Sequence, residues 1–159
     1  MMSLFQSQVV AYFNDSLTSE LPTKFVLSLW DGNTEEASDL LTMLLEQTIS
    51  YHDYCESYYH AFLAGLLAKL DNYDVKSNKE TGKGRADIII KDFANQRAMI
   101  IEAKFTRDEK QIDKLCDDAV KQIADREYGK NINKIVYPEV LSFGVVFFEK
   151  NAYIKMKVD

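Results

Sequence analysis

Three polar side chains interrupt what is otherwise an apolar strand pattern. Asp87 opens the run Ile88-Ile89-Ile90. Fourteen residues separate it from Glu102, and Lys104 follows after one alanine. In a strand, residues i and i+2 point to the same face, so Glu102 and Lys104 share one. Antiparallel pairing of the two runs would bring Asp87 to the same place. Carboxylates packed together repel and are costly to desolvate unless a cation joins them. A hard divalent cation with oxygen ligands resolves that conflict, and an amine beside it can hold or deprotonate a water. This is equipment for metal-assisted hydrolysis of a phosphodiester. The D-x(14)-E-x-K spacing equally suits an ordinary hairpin with a salt bridge at its rim, and spacing alone leaves both open.

The surrounding sequence supplies the elements that would position these groups. Residues 73–79, 85–91 and 98–105 read as three strands, with a turn at 92–96. Ahead of them, Ser50 and Asp53 make a capping-box-like start to a helix ending near Asp71. Its apolar stripe is Cys55, Phe62, Leu63, Leu66, Leu67 and Leu70, with Glu56, Tyr59 and His60 on one side. After the strands, Thr106 to Glu109 reads as a capping box for a helix that reaches Tyr128 and ends at Gly129. Ile112, Leu115, Ala119, Gln122 and Ile123 fall on one side of it. Gln122 is therefore an amide on an apolar stripe, and a buried amide needs partners. A loop over 130–139 leads to a hairpin of strands at 143–148 and 153–158. Towards the N-terminus, residues 3–30 carry helical patterning broken at Pro22, and Asp31-Gly32-Asn33 signals a turn. Thr34 then caps a helix with Leu40, Leu41, Leu44 and Leu45 on its apolar side. A crossover helix between strands implies some parallel pairing.

The chain has 159 residues, 47% hydrophobic and 28% charged, which suits one globular domain with a real core. No apolar run is long enough for a transmembrane helix, and MMSLFQSQ lacks the basic-then-apolar order of a signal peptide. Cys55 and Cys116 sit among apolar neighbours and read as buried thiols. The expectation is a cytoplasmic protein without a membrane partner. Net charge is −6, unfavourable for meeting phosphates, but it is unevenly spread. Residues 1–75 hold 11 acids and 2 bases, whereas 76–104 hold 4 acids and 7 bases. The basic segment is the one that carries Asp87 and Glu102. Lys79, Lys83 and Arg85 are its candidate phosphate contacts. His52, Glu56 and His60 recur at helical spacing, but they lack the H-E-x-x-H pattern of zinc helices.

Four motifs occur in order: E-x-x-Y-H at Glu56 to His60, G-K-G-R-A-D-I-I-I at 82–90, I-I-E-A-K at 100–104, and A-V-K-Q-I at Ala119 to Ile123 with Tyr128 beyond. Together they resemble the PD-(D/E)XK nuclease superfamily. They resemble in particular the branch found C-terminal to AAA-ATPase-like domains in many bacterial proteins. The resemblance covers most of residues 3–157; one departure is Ala86 in place of the proline, as is common in this branch. It implies an α/β, restriction-endonuclease-like mixed sheet flanked by helices, with an αβββαβ core. On that division, residues 1–48 are a helical extension and 49–159 the nuclease-like domain. It implies Mg²⁺, or Mn²⁺, held by Asp87, Glu102 and the Ala103 carbonyl. Lys104 would act on the attacking water, and Glu56 and Gln122 would complete the site. The implied substrate is nucleic acid, DNA ahead of RNA. The implied protein partners are an AAA-type ATPase, fused or separate, and a second copy of the chain. No Walker-type G-x(4)-G-K-[ST] occurs, and Gly82-Lys83-Gly84 is not that loop. The rival readings are a catalytically idle nucleic-acid-binding module and an interaction domain that answers to an ATPase.

Overall fold

The chain is seen in a computed structural model that describes residues 20–48, 55–78, 87–126 and 128–157. Helix α1 (Leu21–Trp30) and helix α2 (Thr34–Thr48) come first. Helix α3 (Glu56–Leu67) leads into strands β1 (Asp74–Ser77), β2 (Ile88–Asp92) and β3 (Arg97–Phe105). Helix α4 (Ile112–Asp125) crosses over to β4 (Glu139–Phe148), which turns back into β5 (Asn151–Met156). The five strands form one sheet in sequence order. All neighbours are antiparallel except β3 and β4, which run parallel because α4 connects them. This is the expected mixed sheet between helices.

The ends of the elements differ in places from the sequence reading. Pro22 sits in the first turn of α1, where its missing N–H costs nothing, and the patterning expected ahead of it lies outside the described residues. The cap of α2 is Asn33 rather than Thr34. Its Oδ1 accepts from the Glu36 amide at 3.1 Å, and its Nδ2 donates back to the Glu36 carboxylate. Thr106 and Glu109 do not form a capping box. The Thr106 hydroxyl accepts from the Asp108 amide, and Asp108 in turn caps a 3₁₀ turn, Glu109–Gln111, that precedes α4. The strands β4 and β5 start earlier than the periodicity suggested, at Glu139 and Asn151.

The alternation along β3 divides the core in two. Met99 and Ile101 face a large cluster that also holds Phe25, Leu29, Leu41 and Leu45 of α1 and α2 and Phe62 and Leu66 of α3. Ala98 and Ile100 face the opposite side, against Ile123, Tyr128 and Ile132. Helix α3 is buried almost all round, from Tyr58 to Leu67, as a helix inside a core must be. Tyr59 fastens it to the sheet. Its ring stacks on Phe147 at 4.8 Å and its hydroxyl donates to the Glu149 carbonyl at 2.6 Å. On the other face, α4 lies unusually close to β4. A Cβ on Gly144 would meet the Cys116 carbonyl and the Ala119 side chain at 2.9 Å each. Cys55 and Cys116 are both free thiols.

Candidate active site

The β2–β3 register pairs Ile88 with Ile101, so one further step sets Asp87 opposite Glu102. Asp87 lies just before β2, yet it is held on both sides. Its carbonyl accepts from the Asn78 amide at 2.8 Å, and its Oδ2 accepts from the Ala103 amide at 2.8 Å. A residue's N–H and C=O leave a strand on the same side. The Ala103 carbonyl therefore also points toward β2 rather than into the β4 ladder. Glu102 and Lys104 lie on the face covered by α4, and Gln122 of α4 joins them. Lys104 Nζ donates to Gln122 Oε1 at 2.9 Å, while Gln122 Nε2 donates to Glu102 Oε1. The close seat of α4 on Gly144, which pairs with Glu102 across the ladder, brings the amide within reach.

Glu56, Asp87, Glu102, Ala103, Lys104 and Gln122 line one cavity of about 310 Å³, walled by Phe105 and Leu115. Glu56 is the first residue of α3 and is exposed. Asp87 is 6% exposed and Glu102 5%, so the carboxylates are withdrawn from water while they face each other. Burial pushes the Glu102 carboxyl up, and the charge of Asp87 adds to it, taking it to about 7. Burial also raises Asp87, against the Ala103 amide bond that lowers it; Glu56 adds to the rise. Among the described residues Glu102 Oε2 is buried without any hydrogen-bond partner.

An orphaned carboxylate oxygen beside a second buried carboxylate is the chemistry a hard divalent cation satisfies. No cluster of three or more His, Cys, Asp or Glu placed to hold a metal occurs among the described residues. Two carboxylates and a carbonyl still suit magnesium, which keeps several waters and takes substrate phosphate oxygens as ligands. The donor set therefore fits that ion type.

A family model of the PD-(D/E)XK nuclease superfamily matches residues 54–157. The chain belongs to that superfamily. No curated protein matches it. PD-(D/E)XK nucleases typically use divalent metals, and their substrates are nucleic acids. The matched range contains Asp87, Glu102 and Lys104. The matched range includes both helices that bring polar groups to the cavity and leaves out α1 and α2, which pack into the same core. No described helix is long and apolar enough to cross a membrane.

Three of the expected phosphate contacts, Lys79, Lys83 and Arg85, lie outside the described residues, as does His52. His60 meets Ser77, ring Nε2 to hydroxyl at 3.2 Å. Tyr128 had no role assigned from sequence, yet its hydroxyl accepts from Gln122 Nε2 at 3.1 Å and from Arg126 at 3.4 Å. Its ring is buried in the smaller core, and its hydroxyl joins Lys104 and Glu102 in holding the Gln122 amide. The signal was present: a tyrosine six residues after a glutamine that needs partners.

Proposed function

We propose that this PD-(D/E)XK protein is a Mg²⁺-dependent nuclease that hydrolyses phosphodiester bonds in DNA, with Mn²⁺ able to replace Mg²⁺. The observation that carries it is the buried, unpartnered Oε2 of Glu102 facing a second buried carboxylate in a cavity that also holds a lysine. Asp87, Glu102 and the Ala103 carbonyl would hold the cation. A bound divalent ion supplies charge stabilisation at the scissile phosphate and a more acidic water. Lys104 orients the attacking water and takes or relays its proton. Gln122 keeps the Lys104 amine pointed into the cavity and separates it from Glu102, so the amine is not consumed in a salt bridge. Tyr128 steadies Gln122 from behind. Glu56, at the exposed side, gives a further carboxylate for water or metal. Lys79, Lys83 and Arg85 would contact phosphates beyond the cavity.

The order of the four motifs supports the branch that works with AAA-type ATPases, so such a domain or protein is the proposed partner, and a homodimer the proposed assembly. Residues 1–48 would be the element linking to it. Incubation of the pure protein with labelled DNA and RNA, with Mg²⁺, Mn²⁺ or EDTA, tests the reading. Metal-dependent cleavage of DNA is the expected result. Binding without cleavage under every condition would instead make the chain an idle nucleic-acid-binding module.

A further inference from the structure

Helix α4 ends on a cation to which the mechanism above gives no task. Arg126 is its C-cap residue, and the Arg126 amide donates to the Gln122 carbonyl at 3.0 Å. Residues four apart on a helix stack on one face, so Arg126 follows Gln122 along the side that meets the carboxylate cavity. The side chains agree. Arg126 Nη1 donates to the Tyr128 hydroxyl at 3.4 Å, and that hydroxyl accepts from Gln122 Nε2 at 3.1 Å. The guanidinium therefore stands no more than two hydrogen-bond lengths from the amide that touches both Glu102 and Lys104. It is near enough for its charge to pull the Glu102 pKa down, against the stronger effect of burial. Yet Arg126 is exposed, and among the described residues it forms no ion pair. Its bond to Tyr128 is long and goes to a neutral hydroxyl, so most of its donors are left for something else. The helix dipole favours a cation at this end, but it does not ask that the cation lean toward Tyr128 and the cavity.

We propose that Arg126 grips a phosphate of the bound DNA strand, the one beside the phosphate that the metal would hold. The inference rests on the nuclease reading above, since it supposes a strand lying across the Asp87–Glu102 cavity. The Gln122 amide and the Tyr128 hydroxyl stand between the guanidinium and Glu102, so Arg126 reaches along the strand rather than to the scissile group. A planar guanidinium meets two phosphate oxygens at once, and a long bond to a hydroxyl is readily given up for them. Lys104 does not serve in its place, because Gln122 turns that amine into the cavity. Tyr128 then has two tasks: it steadies Gln122 and it aims Arg126. The end of α4 thus couples the position of the strand to the amine that handles the attacking water.

The test is fluorescence anisotropy of a labelled DNA duplex with the full chain in Ca²⁺, at salt from about 50 to about 200 mM, beside cleavage in Mg²⁺ and Mn²⁺. Arg126→Ala should weaken binding about tenfold and lower the salt slope by about one, as the loss of one phosphate contact requires. Arg126→Lys keeps the charge but not the fork, so the slope should return while affinity recovers only in part. Tyr128→Phe removes the hydroxyl and keeps the guanidinium, so it should leave the slope alone. Lys24→Ala, which takes one charge from α1, should change neither slope nor affinity. A helix-capping role alone would lower the melting temperature of Arg126→Ala and leave its slope at the wild-type value, and that result would overturn the proposal. So would an equal fall of slope in Lys24→Ala, which would make the effect one of net charge. If the wild type cleaves DNA and Arg126→Ala binds as tightly with the same slope, the nuclease reading stands and this inference fails. If binding and its slope depend on Arg126 but the wild type cleaves nothing with either metal, the nuclease reading fails and Arg126 remains a phosphate contact. A wild type that does not bind DNA would overturn both.

Discussion

The β2–β3 hairpin buries carboxylates at both of its ends and treats them in opposite ways. At the turn, Asp92 is 2% exposed and fully answered. Arg97 Nε donates to it at 2.9 Å and Asn95 Nδ2 at 2.8 Å, while the Arg97 guanidinium also covers the Trp30 ring at 4.3 Å. Burial alone would raise its pKa, but the bonds from Asn95 and Arg97 outweigh burial and hold the carboxyl below its usual range. At the other end Asp87 and Glu102 are as deeply buried, yet each is raised, and one oxygen has no donor. The chain can evidently build a satisfied buried carboxylate within a few residues of these two. Asp87 Oδ2 has the Ala103 amide and Glu102 Oε1 has Gln122, but Glu102 Oε2 is left without a donor, and there a cation and a reacting phosphate would complete the set.

The largest effect should come from the amine. Lys104→Ala should lower the cleavage rate about 10²- to 10⁴-fold, the usual worth of a positioned proton-transfer group, while affinity for DNA measured in Ca²⁺ stays close to that of the wild type. Unchanged cleavage would point to another site or a contaminant.

Substitution for stability should then separate the two ends by sign. Arg97→Ala strands Asp92 without its ion pair and should cost about 2 kcal/mol in denaturant unfolding. Asp87→Asn in metal-free protein relieves the repulsion with Glu102 and should be neutral or stabilising. A loss at Asp87 as large as at Arg97 would erase the contrast.

A smaller effect is expected from the seat of α4. Gly144→Ala sets a methyl against the Cys116 carbonyl, which is backbone and cannot swing aside. The substitution should cost about 1–3 kcal/mol as overpacking and should displace Gln122. Activity should fall further than the lost stability explains. Activity that merely tracks the folded fraction would free Gln122 of its positioning role.

The mildest test is pH. For Glu102 the folded-state pKa lies above its ordinary value of 4.5, so the folded form binds the extra proton. Stability of the metal-free protein should therefore fall as pH rises from about 4.5 to about 7. Asp92 acts in the reverse sense, contributing above its ordinary 3.8 and losing that contribution as acid titrates it. Thermal melts without metal should thus peak near pH 5 and be lower at pH 8. A melting temperature still rising through pH 7 would contradict the raised Glu102.

Much of this was legible in the sequence. The apolar runs Ile88–Ile90 and Met99–Ile101 set the strands, and the helical stripes placed Glu56 and Gln122 on the helices that carry them. What stayed hidden depends on distance in space. Periodicity cannot show that Gly144 admits α4 to within contact, nor that the Tyr128 hydroxyl closes the chain from Lys104 through Gln122. The caps failed for a related reason. Asn33, Thr34, Thr106 and Asp108 are all competent capping residues, and which one bonds is decided by the entering backbone direction.

Asp87 and Glu102 form the proposed cation site. Thermal melts at pH 8 with and without Mg²⁺ or Mn²⁺, on wild type and Asp87→Asn, test it most directly. Metal at about a hundredfold its Kd stabilises the folded state by about 2.7 kcal/mol, so the wild-type melting temperature should rise by several degrees. The rise should vanish in Asp87→Asn. An equal rise in both proteins, or none in either, would contradict the account.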